Sequence, residues 1–267
     1  MSEKQVHWEV VDGIGRLELN RPESLNALSF EMMAALEEAS AALVQHPNLR
    51  VLVVSGRGDH FMAGGDIRDF SRLLDRPADE RREMFRTAIE KRVNPVVERL
   101  SRVPCPVVAK VRGACAGFGM SLMLACDLAI AASDAVFTTA YAMLGLPADG
   151  GLTYFLPRVV GSRRAAELFL LSERFDAQRA LELGIVNRVV APEALDAEVD
   201  ALVARLVAGP GYAYGRIRSL LADSLEQSLE AQLLAEAEAF GDCSATEDFA
   251  EGVEAFLAKR KPRFRGC

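Results

Sequence analysis

The sequence holds little of what metal sites, disulfide frameworks and nucleic-acid interfaces require. Its three histidines all lie in the first 60 residues, and no HExxH motif or His/Cys cluster occurs, so we expect no metal site. The five cysteines form no CxxC pair, and their odd number in a chain of 267 residues favours reduced thiols. The net charge of −7 argues against nucleic acid as a partner, because phosphate binding requires a basic face.

Long apolar segments are also missing. No apolar run reaches the length of a membrane span, so we expect no membrane partner. The first five residues, Met-Ser-Glu-Lys-Gln, lack the apolar core of a signal peptide, which predicts a cytoplasmic location. The composition, 50% hydrophobic and 26% charged, is that of an ordinary globular protein.

Strand and helix patterns alternate through the first two thirds of the chain, which predicts an α/β core. Asp12-Gly13 is expected to form a hairpin turn, and Ser29 to cap a helix over residues 30–45. Pro95 is expected to kink or interrupt a longer helix that ends near Arg102. The expected strands span residues 7–11, 15–20, 50–55, 106–112, 127–132 and 136–139.

From Pro192 onward the pattern is almost wholly helical. Stretches rich in Ala, Leu and Glu span residues 195–207, 213–222, 225–240 and 247–259. We therefore divide the chain into an α/β core with the active site, residues 1–191, and a helical region, residues 192–267. Such a region either makes oligomer contacts or packs on its own core, and the pattern alone favours neither.

The most informative stretch is the small-residue turn Gly113–Gly119 (GACAGFG), between an expected strand and an expected short helix. Such a turn presents free backbone N–H groups to negative charge. Downstream lies Asp149, the only carboxylate between Ala135 and Val160. Donors that hold an anion, together with one acid, indicate an enzyme that forms and quenches an enolate.

A second strand–loop unit resembles the first. Residues 51–55 lead to Ala63-Gly-Gly-Asp66, as residues 106–112 lead to Ala116-Gly-Phe-Gly119. Small residues let the backbone approach a ligand closely. One N–H group from each loop could hold a thioester oxygen as it becomes an enolate. Taken singly, each loop is explained equally well by tight packing.

The motifs Phe61–Ile67 (FMAGGDI) and Gly113–Asp127 (GACAGFGMSLMLACD) resemble the crotonase superfamily, the enoyl-CoA hydratases and isomerases. Further matches follow in the family's order at residues 19–28, 158–161, 184–189 and 251–260. The resemblance implies a spiral of ββα units with a C-terminal helical trimerisation region. It also implies homotrimers or dimers of trimers, and acyl-CoA substrates in which coenzyme A is part of the substrate rather than a prosthetic group.

Carried over by position, the resemblance assigns residues to two parts of a site. Gly65 and Phe118 would supply the oxyanion-hole N–H groups; Phe118 replaces a glycine of the family, but the donor is backbone. A coenzyme A groove would be lined by Leu25, Ala27, Ala63, Asp66 and Ile67. Contacts to the coenzyme A of a neighbouring subunit would come from Phe256 and Lys259.

The acids depart from the hydratase pattern. The two glutamates that hydratases of the family use for syn addition of water align with Ser121 and Tyr141, which argues against efficient ordinary hydration. Asp149 matches an acid of family members that move protons or attack carbon. The pattern is most similar to that of the phenylacetate-pathway isomerase of a ring-epoxide CoA thioester.

One carboxylate suits a 1,3-proton shift. Asp149 would remove and return the proton while the oxyanion hole holds the dienolate, and burial near Leu144, Leu146 and Phe155 is expected to raise its pKa. The alternative for Asp149 is a turn residue in Ala-Asp-Gly-Gly. Tyr141 would donate a hydrogen bond to Asp149 or to substrate, or form a wall of the acyl pocket.

Other interpretations stay open. Ser121 is expected to serve as small-residue packing rather than as a polar assistant, and His60 as a solvated loop residue rather than a contact to a coenzyme A phosphate. An atypical hydratase and a non-catalytic acyl-CoA binding protein are alternatives to the isomerase. A dehalogenase would need a histidine in the helix before residue 106, which has none. The third glycine of a dinucleotide fingerprint and a GxSxG elbow are absent as well.

Overall fold

Two β-sheets organise the chain in the computed structural model, which describes residues 4–266. The strands are β1 (Val6–Val11), β2 (Ile14–Leu19), β3 (Val51–Gly56), β4 (Val107–Val111), β5 (Ala114–Ala116), β6 (Leu128–Ala132), β7 (Val136–Thr138), β8 (Phe175–Asp176) and β9 (Arg188–Val190). Four cysteines, Cys105, Cys115, Cys126 and Cys243, are free thiols. The reduced state expected of Cys267 concerns a residue outside the described part of the chain.

The larger sheet has the strand order β1-β2-β3-β4-β6-β9. β1 and β2 are antiparallel around Asp12 and Gly13, whose φ angles of 51° and 80° suit the predicted two-residue hairpin turn. All other neighbours in this sheet are parallel. Its central strands are buried runs of Val, Leu, Ala and Ile, as expected for parallel strands that are covered on both faces.

The smaller sheet, β5-β7-β8, makes the architecture a spiral. β5 follows β4 and pairs with β7, which follows β6. In the same way, Met62 follows β3 and forms a parallel bridge with Cys115 of β5. Each successive repeat of the chain thus adds one strand to the large sheet and one extended segment beside the small sheet. This arrangement confirms the expected spiral of ββα units.

β5 corrects one part of the sequence analysis. We interpreted residues 113–119 as a continuous turn, whereas Ala114–Ala116 is a strand. Its side chains are small and carry no strand pattern of their own. The segment is extended because it is paired on both sides, with Met62 and with β7.

Twelve α-helices are described within residues 4–266. They are α1 (Phe30–Val44), α2 (Ile67–Ser71), α3 (Ala78–Ala88), α4 (Asn94–Arg102), α5 (Phe118–Leu124), α6 (Leu152–Val160), α7 (Ser162–Leu171), α8 (Ala177–Glu182), α9 (Leu195–Val207), α10 (Gly211–Asp223), α11 (Leu229–Ser244) and α12 (Glu247–Leu257). Ser29 caps α1 as predicted, because its Oγ accepts the N–H of Met32 at 3.0 Å.

A π-helical turn, Ile89–Val93, joins α3 to α4 directly before Pro95. Proline has no N–H group, and its ring clashes with the carbonyl one turn earlier. The turn widens accordingly, so that the N–H of Asn94 bonds to the carbonyl of Ile89 five residues back. Pro95 therefore interrupts the α-helical hydrogen bonding but leaves the segment helical as far as Arg102.

The two faces of the large sheet are covered differently. One face and the small sheet enclose the main core together with α1 and α4. The other face is covered by α9, in a cluster made of Val51, Val53, Val108, Ile130, Ala132, Leu195, Val199 and Val203. The division of the chain at residue 192 stays a prediction, and the first helix beyond it is part of the sheet's cover.

Arg218 of α10 links the later helices to the core. It is buried, and its Nε donates to Oδ1 of Asp127 at 2.7 Å. Its other guanidinium nitrogens donate to the carbonyls of Val103 and Leu100. Because a buried ion pair is costly to break from one side, this cluster fixes α10 at the end of α4.

Candidate active site

The loops that follow β3 and β4 end side by side, because these strands are parallel neighbours in the large sheet. Backbone hydrogen bonds join the loops: the N–H of Met62 bonds to the carbonyl of Ala114 at 3.0 Å, and the N–H of Ala116 to the carbonyl of Met62 at 2.8 Å. We call residues 60–66 the first oxyanion loop and residues 113–119 the second. They form one hydrogen-bonded unit.

Several backbone donors in this unit lack a protein partner among the described residues, and the N–H groups of Gly65 and Phe118 are two of them. No described residue accepts a hydrogen bond from the N–H of Gly65 or of Phe118, although buried N–H groups are almost always paired. The loops touch at their glycines, since a Cβ on Gly117 would lie only 3.3 Å from the Cα of Gly64. Two adjacent free donors are what an oxygen with developing negative charge requires.

Asp149 lies between a 3₁₀ turn, Ala142–Leu144, and α6. Tyr141 Oη donates to Asp149 Oδ1 at 2.6 Å, and Ser121 Oγ donates to the Asp149 carbonyl at 2.9 Å. Ser121 Oγ and Tyr141 Oη are 3.5 Å apart. Ser121 and Tyr141, which align with the two glutamate positions of the family, thus form one hydrogen-bonded network with Asp149. Ser121 is fully buried and makes a polar contact as well as packing; its role as a polar assistant stays a prediction.

The side chain of Phe118 supports the Asp149 loop. A Cβ on Gly150 would lie 2.6 Å from Phe118 Cε2 and 3.0 Å from the Cβ of Ser121. Only glycine therefore fits at position 150, where φ is also positive at 56°. The residue that carries the second free N–H also carries the ring on which the acid's loop rests.

Burial raises the pKa of Asp149, although the hydrogen bond from Tyr141 acts in the opposite direction. Burial first, and then the charge of Asp149, raise the pKa of Tyr141, so its phenol stays protonated. The predicted direction for Asp149 is confirmed, but two of its predicted causes are wrong. Leu144 and Leu146 are 51% and 45% exposed, because their segment lies on the surface. Tyr141 contacts the carboxyl group instead, while Ser121 bonds to the Asp149 carbonyl and the Phe118 ring packs against Gly150.

The structure brings together the segments predicted to hold coenzyme A. Residues 25–28 lie along residues 63–66, with the N–H of Ala63 bonded to the carbonyl of Leu25 and the N–H of Asp66 to that of Leu28, each at 3.0 Å. The side chains of Leu25 and Ile67 are exposed. The segments that carry the five predicted groove residues therefore lie together next to Gly65, with Leu25 and Ile67 exposed and Asp66 buried.

Asp66 stabilises the local backbone of this predicted groove. Its Oδ1 accepts the N–H of Arg68, which caps α2, and its Oδ2 accepts Arg21 Nη2 at 2.9 Å. Burial alone would raise the pKa of Asp66, but these bonds outweigh it and lower the pKa. Arg21 has no role in the sequence analysis; its position in the matching segment 19–28 was the signal that could have found it.

His60 connects the two oxyanion loops, and its interpretation as a solvated loop residue is wrong. Its ring Nδ1 accepts the N–H of Ala114 at 3.0 Å, and its carbonyl accepts Asn26 Nδ2 at 2.7 Å. The ring fits because position 113 is glycine: a Cβ there would lie 2.4 Å from His60 Nδ1. The first loop is thus held to the second by a side chain as well as by backbone.

Phe256 lies in the last turn of α12 and is 83% exposed, and Lys259 follows two residues after the end of the helix. Their predicted contact with the coenzyme A of a neighbouring subunit stays a prediction. Among residues 4–266, no group of three or more His, Cys, Asp or Glu side chains is arranged to hold a metal ion. No helix in that range is long and apolar enough to cross a membrane.

A sequence model described as enoyl-CoA hydratase/isomerase matches residues 9–267. The chain belongs to this family. It is 37% identical to 1,2-epoxyphenylacetyl-CoA isomerase of Escherichia coli, over 96% of this chain and 97% of the relative. It is 33% identical to crotonyl-CoA hydratase of Syntrophomonas wolfei, over 99% of each chain.

Solved structures of the family share the fold. An enoyl-CoA hydratase from a Polaromonas species has a TM-score of 0.90 and 34% identity, with 97% of this chain and 99% of that chain covered. Family membership confirms the resemblance that the two oxyanion-loop motifs indicate. Relatives named as isomerases and relatives named as hydratases both occur.

Proposed function

We propose that the protein is an enoyl-CoA isomerase that shifts a double bond by a 1,3-proton transfer, with Asp149 as the single acid/base. The observation that carries this proposal is the half-buried Asp149, held by Tyr141 in a loop that rests on the Phe118 ring, together with the absence of a carboxylate at positions 121 and 141. A hydratase of the family positions water between two carboxylates, and this site offers one.

The reaction can be written on a 3-enoyl-CoA. The thioester oxygen accepts the N–H groups of Gly65 and Phe118, which increases the acidity of carbon 2. Asp149 takes a proton from carbon 2, and the electron pair of that C–H bond forms the dienolate, whose charge rests on the oxygen. Asp149 then returns the proton to carbon 4. The electrons form the double bond between carbons 2 and 3 and restore the thioester carbonyl.

We propose the same groove and assembly as the family resemblance implies. Coenzyme A, as part of the substrate, would lie along residues 25–28 and 63–67, and Phe256 and Lys259 would reach the substrate of a neighbouring subunit in a homotrimer or a pair of trimers. The later helices support an assembly, because they expose many large apolar side chains. These include Leu221, Leu225, Leu229, Leu233, Leu234, Phe240, Phe249, Val253, Phe256 and Leu257.

The relative that acts on 1,2-epoxyphenylacetyl-CoA supports a ring-epoxide thioester as a second candidate substrate. A role in phenylacetate catabolism or in fatty acid metabolism, and the cytoplasmic location expected from the sequence, remain predictions.

The proposal predicts turnover of 3-hexenoyl-CoA in heavy water. We expect the conjugated 2-enoyl product by ultraviolet absorbance and, over many turnovers, deuterium in the product by mass spectrometry. A 3-hydroxyacyl product would show an atypical hydratase instead. Neither product nor exchange, with intact coenzyme A binding by calorimetry, would show a non-catalytic acyl-CoA binding protein.

The rate of isomerisation is expected to fall as the pH drops through the pKa of Asp149. The base must be ionised to take a proton, and burial raises its pKa, so activity is present above that pKa and lost below it. The acidic limb of kcat/KM should therefore lie above pH ~4, where an exposed aspartate titrates. Melting temperatures over the same pH range would separate this limb from unfolding, and a limb at or below pH ~4 would contradict the assignment.

A further inference from the structure

The two oxygens of Asp149 are in different situations. Oδ1 accepts the phenol of Tyr141 at 2.6 Å, the distance of a strong hydrogen bond to a charged oxygen. No other described side chain donates to the carboxylate. Oδ2 is therefore the carboxylate oxygen that no described side chain holds.

Tyr141 can act only as a donor in this pair. Burial and the nearby carboxylate keep its phenol protonated, so the O–H group faces Asp149 at any assay pH. Ser121 does not compete for the same oxygen, because its Oγ donates to the Asp149 carbonyl at 2.9 Å. The two hydroxyls thus hold the main chain and one carboxylate oxygen of the same residue.

Charged groups do not take part in this arrangement. The neighbours that the structure gives the Asp149 loop are Phe118 and Ser121 of α5, Val97 of α4, Phe155 of α6 and Tyr141. None of them is charged, and Tyr141 is the one titratable side chain among the described residues that shifts the pKa of Asp149. Among the described side chains, the Tyr141 phenol is therefore the one that holds the carboxylate and lowers its pKa, while burial raises that pKa and a backbone hydrogen bond also lowers it.

We propose that Tyr141 is a positioning residue for the acid/base: it holds Asp149 Oδ1, so that Oδ2 alone takes the proton from the substrate and returns it. This inference rests on the proposed isomerase function. During the reaction the proton bonds to Oδ2 while Tyr141 keeps its own proton, and the carboxylate is regenerated when carbon 4 is protonated. Without the phenol, the carboxylate is free to rotate and the proton can reach either oxygen.

The variant Tyr141→Phe tests this role, because it removes one oxygen and retains the ring. We expect kcat to fall at every pH, because the carboxylate is no longer held, with the largest loss, about tenfold, near the acidic limb and KM within about twofold of wild type. The acidic limb should move upward by about one pH unit, since a hydrogen bond that favours the carboxylate is lost. An acidic limb that stays where it is in wild type, or a change confined to KM, would overturn the proposal.

Tyr154→Phe is the matched control. The Tyr154 phenol also donates to a carboxylate at 2.6 Å, that of Glu226, but this pair is exposed at the surface. Its removal should leave the pH profile unchanged. A shift of the same size in both variants would overturn the specific role of Tyr141.

An isotope experiment on the unaltered protein does not depend on any variant. In one turnover of 3-hexenoyl-CoA with deuterium at carbon 2, in ordinary water, part of the product should carry deuterium at carbon 4, because a held Oδ2 returns the atom that it removed. Tyr141→Phe should lower that fraction. An equal fraction in both proteins, or complete exchange with water in wild type, would overturn the inference.

A titration separates failure of this inference from failure of the proposed function. The carboxyl ¹³C signal of Asp149, assigned with Asp149→Asn, reports its pKa whether or not the protein isomerises 3-enoyl-CoA. Absent turnover of 3-hexenoyl-CoA would contradict the proposed function. A pKa of Asp149 that is the same in wild type and in Tyr141→Phe would contradict the role of Tyr141.

Discussion

Asp149→Asn is expected to lower kcat for the double-bond shift by roughly 10²–10⁴-fold, the range that a positioned acid/base contributes. The amide keeps the shape of the side chain and can still accept the Tyr141 hydrogen bond on its oxygen. It cannot take a proton from carbon 2. Steady-state kinetics with 3-hexenoyl-CoA would measure the loss, and KM should remain close to that of wild type because the oxyanion donors are backbone groups.

The control for this variant is Asp134→Asn. Asp134 is an exposed residue between β6 and β7, outside the network around Tyr141. Its substitution tests whether loss of one negative charge alone affects the rate. Full activity in Asp149→Asn, with an unchanged pH profile, would place the acid at another residue.

Gly119→Ala is expected to separate the two oxyanion donors. A Cβ at position 119 would lie 2.5 Å from the carbonyl oxygen of Met62 and 3.0 Å from its Cβ. The contact is with backbone, so the start of α5 must move away from the first oxyanion loop. We expect a loss in kcat on the order of 10²-fold, comparable to the removal of one oxyanion donor, and a stability cost of about 1–3 kcal/mol from overpacking.

Gly241→Ala makes the same chemical change without the contact. Gly241 lies in α11, and no atom stands within 4 Å of the position that the added methyl group would take. Circular dichroism and coenzyme A binding would show that Gly119→Ala is folded when its rate is measured. A folded Gly119→Ala protein with the kcat of wild type would contradict the assignment of Gly65 and Phe118 as paired donors.

Much of the fold could be predicted from local patterns. The hairpin at Asp12-Gly13, the Ser29 cap and the buried valine-rich strands depend on neighbours in sequence, so their signals are local. β5 was missed because Ala-Cys-Ala has no pattern of its own and is extended only through its pairing with Met62 and β7. The link from Arg218 to Asp127 joins residues 91 positions apart, and no local rule predicts it.

The candidate site divides in a similar way. The residue types of the two loops indicate an oxyanion hole, and the comparison with the family's glutamate positions singles out Asp149. The hydrogen bond from Tyr141 to Asp149 Oδ1 depends on the conformation of the 3₁₀ turn Ala142–Leu144. The sequence alone therefore predicted either Asp149 or the substrate as the acceptor. Leu144 and Leu146 show the limit of hydrophobicity as a guide, because an apolar side chain in a loop carries no information about which side it faces.

The position of Phe118 has a consequence for engineering the acyl pocket. Its ring rests on Gly150 while its backbone N–H is one of the free donors, so electrostatic stabilisation and acid placement share one residue. A smaller side chain at 118, chosen to admit a bulkier acyl group, would also loosen the support of the proton carrier. In the proposed mechanism, substrate range and turnover are therefore coupled at this position.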